Sequence, residues 1–274
     1  QVWDLPRPYV HVLPNAIDQA LYETEPGWAR KHVGRQLVYI SRPERGLANL
    51  VSAGGVMEQL ARVAPDVTLF VAHYDNTTPE MAPVYERLWG DALRLPNVKL
   101  LGSLSKRGVA ELMRDAALWV YPTVPVAEHE ETSCVAAMEA AAAGAVPVAA
   151  LNGALPETLG PDPARRAVLL PYRADGSVDT GVYTRAILGL LDDRPHWEAL
   201  ARDARAHARA TYRLDRSAEV LEELVGRVLA TRSRGPRLFK HLFYQADARL
   251  ALDSMDLGEA VLPYARAEAE RYPQ

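Results

Sequence analysis

The sequence predicts an α/β protein: a parallel sheet with helices on both faces, followed by a helical annex at the C-terminal end. Two observations predict it. Short apolar runs bounded by turn residues recur along the chain, and most are followed by a segment of helical character. Repeated strand–helix units of this kind bury a parallel sheet between two helical layers through right-handed crossovers. Size agrees, because 274 residues with 49% hydrophobic content can bury one large core and a smaller appendage.

Residues 1–36 read as an incoming strand and linker, centred on VHVLPNAIDQALY. Residues 37–232 read as the sheet domain with its terminal helices. Its first strand is Leu37 to Ile40, followed by a basic turn holding Arg42 and Arg45 and by a helix starting near Gly46. VTLFVAH is the next strand, Pro79 to Leu95 a helix, VKLLG a strand, and Lys106 to Ala116 a helix. LWVYP, an apolar run closed by proline, suits a buried strand. A polar loop then leads to an alanine-rich helix that Thr132 or Ser133 can cap and Gly144 can stop, before a second buried strand from Val146 to Ala150. Beyond Tyr172 a polar Asp175-Gly176-Ser177 turn precedes helical patterns over 178–191, 195–210 and 215–231. SRGPR, from Ser233 to Arg237, is a basic breaker, and residues 233–274 form the annex, a helical hairpin turning around Asp256 to Gly258.

Composition removes several classes of function. A net charge of −4 gives no general attraction to nucleic acid or to an anionic membrane surface. A single cysteine, Cys134, excludes an intrachain disulfide framework and fits a reducing cytoplasm, where the protein is expected. No apolar run is long enough to span a bilayer and no signal-peptide pattern opens the chain, so an integral membrane protein is not expected. Neither an Asp-x-Asp motif nor clustered His and Cys ligands suggest a metal site.

The chemistry concentrates between Tyr121 and Glu157, where Glu131 and Glu139 flank the start of the alanine-rich helix. A helix N-terminus at the carboxyl edge of a parallel sheet offers free N–H groups and partial positive charge, where phosphates dock. A glutamate there does not serve the phosphate. Glu131 suits neutral hydroxyls, and Glu139, about two turns further on, suits a ribose diol. Arg42 and Arg45 suit a diphosphate, since a guanidinium makes two charge-assisted bonds to one phosphate. Each residue also has a plainer reading: a glutamate on such a helix is ordinarily solvated, and either arginine could simply partner Glu44. Gly46 could merely begin its helix, and Cys134 could merely be packed. His129 could touch a sugar or an acceptor, whereas no functional role is read for His11, His32, His73, His196, His207 and His241.

Glu131-x7-Glu139, followed by AAAAGAVPVAA and GALPE, resembles the C-terminal donor-binding domain of GT-B glycosyltransferases, the retaining group related to glycogen synthase and often called group 1. The resemblance implies a Rossmann-like sheet forming the C-terminal half of a two-domain enzyme. It places Glu131 against the donor sugar as the catalytic residue, Glu139 on the ribose, and Arg42 with Arg45-Gly46 on the diphosphate. Gly102 and Ser103 in VKLLGSLS would lie by the nucleobase, while Asn152, Gly153 and Ala154, with Glu157 beyond, would close on phosphate and sugar. The amides of Thr132, Ser133 and Cys134 would support the phosphate end. Two departures stand out: Glu131-Thr132-Ser133-Cys134 occupies the place of the common Glu-Gly-Phe-Gly, and Ser41 replaces a glycine in a tighter basic turn.

The implied activity is transfer of a hexose-type sugar, with retention, from a nucleoside-diphosphate sugar to an acceptor that could be a saccharide, lipid, protein or small molecule. No cofactor and no obligatory metal are implied. Acceptor contacts belong to an N-terminal domain that the resemblance places outside this chain, leaving it chiefly the donor-binding half. A nucleotide-sugar epimerase on the same framework and a non-enzymatic nucleotide-sugar-binding or interaction module are the alternatives.

Overall fold

The computed structural model describes residues 12–73, 77–123 and 130–232, with side chains as far as 227. The helical hairpin expected over 233–274, together with His11, His129 and His241, lies outside the described residues. Six strands form one parallel sheet: β1 (Gln36–Ile40), β2 (Thr68–Ala72), β3 (Val98–Gly102), β4 (Leu118–Tyr121), β5 (Val146–Ala150) and β6 (Val168–Leu170). The helices are α1 (Trp28–Val33), α2 (Leu47–Val51), α3 (Val56–Val63), α4 (Ala82–Leu93), α5 (Lys106–Asp115), α6 (Val135–Ala143), α7 (Leu155–Thr158), α8 (Thr180–Asp192), α9 (Arg194–Thr211) and α10 (Leu214–Arg232). The chain divides into two compact units, Gln1–Glu219 and Val220–Gln274. Of the second, only the remainder of α10 is described.

Strand order is β3-β2-β1-β4-β5-β6. The chain therefore builds outward from β1 in one direction, returns, and builds outward from β4 in the other. Between β1 and β4, paired at Leu37↔Leu118 and Val38↔Trp119, the crossovers diverge and leave a crevice at the carboxyl ends of the strands. Every residue of β4 and β5 is buried, as expected for central strands of a sheet covered on both faces.

Alanine dominates α6 for a packing reason. The helix is enclosed by α5, α9 and the sheet, and Ala137 and Ala140 to Ala143 are all buried, so small side chains let its neighbours approach closely. Gly144 is its C-cap, as expected, and packs against the Trp28 ring. The carbonyls at this end are satisfied by buried cations. Lys31 Nζ donates to Ala143 O (3.1 Å) and also to Met113 O (2.7 Å) and Arg114 O (3.0 Å) at the end of α5, while Arg205 donates to Ala142 O. Burial, against the opposing pull of Asp115 and with the Arg205 and Arg114 charges adding to it, holds Lys31 well below the usual lysine pKa. Trp197, fully buried, ties α9 to the start of β4 through Nε1 to Ala117 O at 3.0 Å. His32 packs against the Trp197 ring in the same core.

Two expectations need correction, both of them helices. The incoming strand expected in VHVL lies partly outside the described residues; in the described part of that segment Ile17 forms an isolated bridge with Arg213, a 3₁₀ turn covers Gln19–Tyr22, and α1 follows. This stretch is held to the end of α9 and the start of α10 by Ile17 N donating to Tyr212 O (3.1 Å), the Gln19 side chain donating through Nε2 to Arg209 O (2.7 Å), and Ser217 Oγ donating to Pro14 O (3.0 Å). The helix expected from Pro79 is α4, starting at Ala82 with proline in its first turn. The helix after Gly46 splits into α2 and α3 at Ser52 to Gly55. The sequence reading also missed β6 and α7 altogether.

Candidate functional site

The turn leaving β1 is built by close backbone contact. Gly46 caps α2 at φ +104°, and a Cβ on it would lie 2.3 Å from Pro122 O, so only glycine lets this turn rest on the chain leaving β4. Asn49 Nδ2 donates to the same carbonyl at 2.8 Å. The Tyr39 hydroxyl donates to Arg42 O at 2.6 Å, holding the turn from below. The two arginines differ. Arg42 is exposed at the rim, whereas Arg45 is half-buried and its Nε is buried without a hydrogen-bond partner. Burial opposes the Arg45 charge, but Tyr121, Glu131 and Glu44 outweigh it and raise its pKa. Glu44 is itself engaged by the Tyr85 hydroxyl.

Glu131 sits on the opposite lip of the crevice, clamped by the chain leaving β5. Its N–H donates to Asn152 Oδ1 at 3.4 Å, and its carbonyl accepts from Ala154 N at 2.7 Å. Between them Gly153, at φ +48°, presses on the Glu131 peptide so closely that a Cβ would fall 2.2 Å from its oxygen. The carboxylate accepts from the Tyr121 hydroxyl and from Ser133 N, each at 3.4 Å.

The expected cap of α6 is corrected at this point: Cys134 is the N-cap, and no side chain caps the helix. Ser133 is taken up elsewhere, its N–H turned to Glu131 and its Oγ accepting from Asn15 Nδ2 at 2.9 Å, while Thr132 is exposed. Cys134 is buried, and burial first, then Glu131, pushes its thiol pKa far up, so it packs as a neutral group.

Glu139 lies in the second turn of α6. Burial raises its pKa, against the opposing pull of Lys106 and Tyr22. The Tyr22 phenol, buried in the 3₁₀ turn, has its own pKa pushed far up by burial first and by Glu139 and Asp18 after it.

Arg45, Gly46, Glu131, Ser133, Cys134 and Gly153 thus converge at the strand-order reversal. Gly102 ends β3 at the same sheet edge and Ser103 follows it, with Gly102 O accepting from His73 N at 3.1 Å. They stand two strands out from β1, roughly 10 Å at ordinary strand spacing, a distance that a nucleoside spans. Lys106, the first residue of α5 after this loop, connects that side to Glu139.

Three residues at the site escaped the sequence reading: Tyr121, Tyr22 and Lys106. Lys106 left one signal, a cation at a helix N-terminus where the dipole disfavours it. Among the described residues no three His, Cys, Asp or Glu side chains gather as a metal-holding group, and no helix is long and apolar enough to cross a membrane.

No protein-family model and no curated protein matches the chain. Solved structures do. HepE of Anabaena, in complex with UDP-glucose, is 22% identical over 77% of this chain and 56% of its own, with a TM-score of 0.59. Sucrose-phosphate synthase from Thermosynechococcus elongatus is 18% identical over 81% of this chain and 53% of its own, with a TM-score of 0.62. The C-terminal domain of the group 1 glycosyl transferase LpcC from Francisella tularensis is 15% identical, and 72% of this chain covers 99% of it at a TM-score of 0.57. The chain thus spans about half the length of the first two and nearly all of the isolated domain. Its six parallel strands and their helical cover have the fold of the C-terminal, Rossmann-like domain of GT-B glycosyltransferases.

Proposed function

We propose that this chain binds a nucleoside-diphosphate sugar in the crevice between β1 and β4 and forms the donor-binding part of a glycosyltransferase that passes the sugar to an acceptor with retention. One observation carries the reading. Arg45 and Glu131 face the same crevice from opposite lips, Gly46 beside Arg45 packed against Pro122 of the chain leaving β4, and Gly153 of the chain leaving β5 packed against the Glu131 peptide. The fold likeness to HepE, solved with UDP-glucose, supports it.

In this reading Arg45, with Arg42 at the rim, takes up the charge that gathers on the diphosphate as the bond to the anomeric carbon breaks. Glu131 accepts hydrogen bonds from the sugar hydroxyls and fixes the sugar's orientation. Glu139 grips the ribose, and the Gly102–Ser103 loop lies along the base. The acceptor oxygen attacks from the face the diphosphate leaves, so positioning and electrostatics carry the rate rather than a protein nucleophile. Arginine supplies the positive charge, and no metal is assigned a role.

Calorimetric titration of the chain with UDP-, GDP-, ADP- and TDP-sugars, beside Arg45→Ala and Glu139→Ala, tests the proposal. Saturable binding of one nucleotide class, lost in both folded variants, is the expected result. A folded chain that binds none of them overturns the donor-site reading.

A further inference from the structure

Tyr121 ends β4 directly beneath the crevice. Its ring is 3% exposed and held on two sides, stacked on Trp119 with centroids 5.0 Å apart and tilted against Tyr39 at 6.4 Å. A ring so confined cannot redirect its hydroxyl. That hydroxyl donates to Glu131 Oε2 at 3.4 Å, and Arg45 and Ser41 both lie close enough to interact with it. Arg45 and Glu131 lie within electrostatic reach of one another yet form no ion pair, and the Arg45 Nε stays without a partner.

Opposite charges at the mouth of a half-buried crevice would otherwise close on each other, and a direct pair would hide both from a ligand. A phenol can prevent that closure because it offers one proton to the carboxylate and a lone pair to the guanidinium. We propose that Tyr121 is a positioning residue of the donor site: its hydroxyl bridges Arg45 and Glu131 and keeps them from collapsing into an ion pair, leaving Arg45 to the diphosphate and Glu131 to the sugar. The inference rests on the donor-site reading above.

The test is a cycle of variants titrated with whichever of UDP, GDP, ADP or TDP the wild-type chain binds most tightly. Tyr121→Phe weakens nucleoside-diphosphate binding about five- to tenfold, the size of one hydrogen bond lost and one competing pair gained. Adding Glu131→Gln to Tyr121→Phe restores the affinity, by a larger factor than Glu131→Gln alone raises it in the wild-type background, because the competing carboxylate is gone; a merely structural role for the phenol predicts equal factors. Tyr121→Met, a second variant without the hydroxyl, guards against a folding defect peculiar to Phe, and thermal melting confirms that each variant is folded. Wild-type affinity in Tyr121→Phe overturns the inference, as does a folded double variant that stays weak. If the wild-type chain binds no nucleoside diphosphate, or binds it equally well as Arg45→Ala, the donor-site reading fails and the inference falls with it. Binding that depends on Arg45 but not on Tyr121 refutes the inference alone.

Discussion

Gly153→Ala separates a glycine that presses Glu131 into place from one that merely turns a loop. An alanine Cβ there would meet Glu131 O at 2.2 Å, N at 2.8 Å and C at 3.0 Å, against the 3.4–4 Å of ordinary contact. All three atoms are backbone, so no flexible side chain can give way, and the two segments must part by about 1 Å or more. At φ +48° the alanine also sits in the left-handed region, which costs roughly 1–2 kcal/mol for a residue with a Cβ. Separation stretches the 2.7 Å bond from Ala154 N to Glu131 O, worth about another 1 kcal/mol. The sum, roughly 2–3 kcal/mol, corresponds to a fall in melting temperature of about 5–10 °C for a domain of this size. Displacing Glu131 by about 1 Å should weaken nucleotide-sugar binding more than binding of the free nucleoside diphosphate, because only the sugar needs that carboxylate. Differential scanning calorimetry and titration with both ligands read the two effects. A variant that melts within about 1 °C of wild type and binds both ligands unchanged would show that Gly153 does not set the position of Glu131.

Arg45→Ala should raise the dissociation constant for nucleoside diphosphate about tenfold or more, and Arg42→Ala by less than about threefold, because a partly desolvated guanidinium binds an anion more strongly than one in water; equal losses by calorimetry would contradict that ranking. Lys31→Met leaves the carbonyls of Met113, Arg114 and Ala143 without the Lys31 donor, at the ends of α5 and α6 remote from the crevice. It should cost about 1–3 kcal/mol in a urea unfolding curve with nucleotide affinity intact, and an unchanged midpoint would argue against the capping role. Glu139, with its pKa raised by burial, favours the protonated form in the fold, so its contribution to stability is fully present below the unfolded carboxylate pKa and is lost as pH rises through the folded value. Glu139→Gln should therefore melt higher than wild type near neutral pH, lose that advantage toward about pH 4, and bind nucleotide poorly at both. A melting difference that is flat with pH would show that Glu139 is not desolvated.

Strands β1, β2, β4 and β5 were legible because buried central strands are nearly continuous apolar runs. VLL and LPET were not, because three or four residues are too few to show a period. The Glu131–Glu139 spacing could be read because both residues belong to one loop and the helix it feeds. Gly46 read as a helix start, which it is, but its approach to Pro122 depends on a chain far away in sequence, and no local pattern records that contact. Thr132 and Ser133 looked like caps by residue type, yet Asn15, far upstream, and the Glu131 carboxylate claim Ser133. Tyr121 was hidden by its surroundings, since a tyrosine closing an apolar strand reads as core, and only folding shows which charges its hydroxyl meets.

The segment ahead of β1 lays Ile17 along the α9–α10 corner, Asn15 against Ser133 and Tyr22 against Glu139. A chain trimmed of its first 22 residues would keep every strand and every α-helix of the sandwich, yet the wall beside the second glutamate would be open to water. On the donor-site reading, the piece that carries the sheet and its helices and the piece that walls Glu139 are then different lengths. Grafting this pocket onto another scaffold would require moving a clasp of residues that no inventory of strands and helices includes.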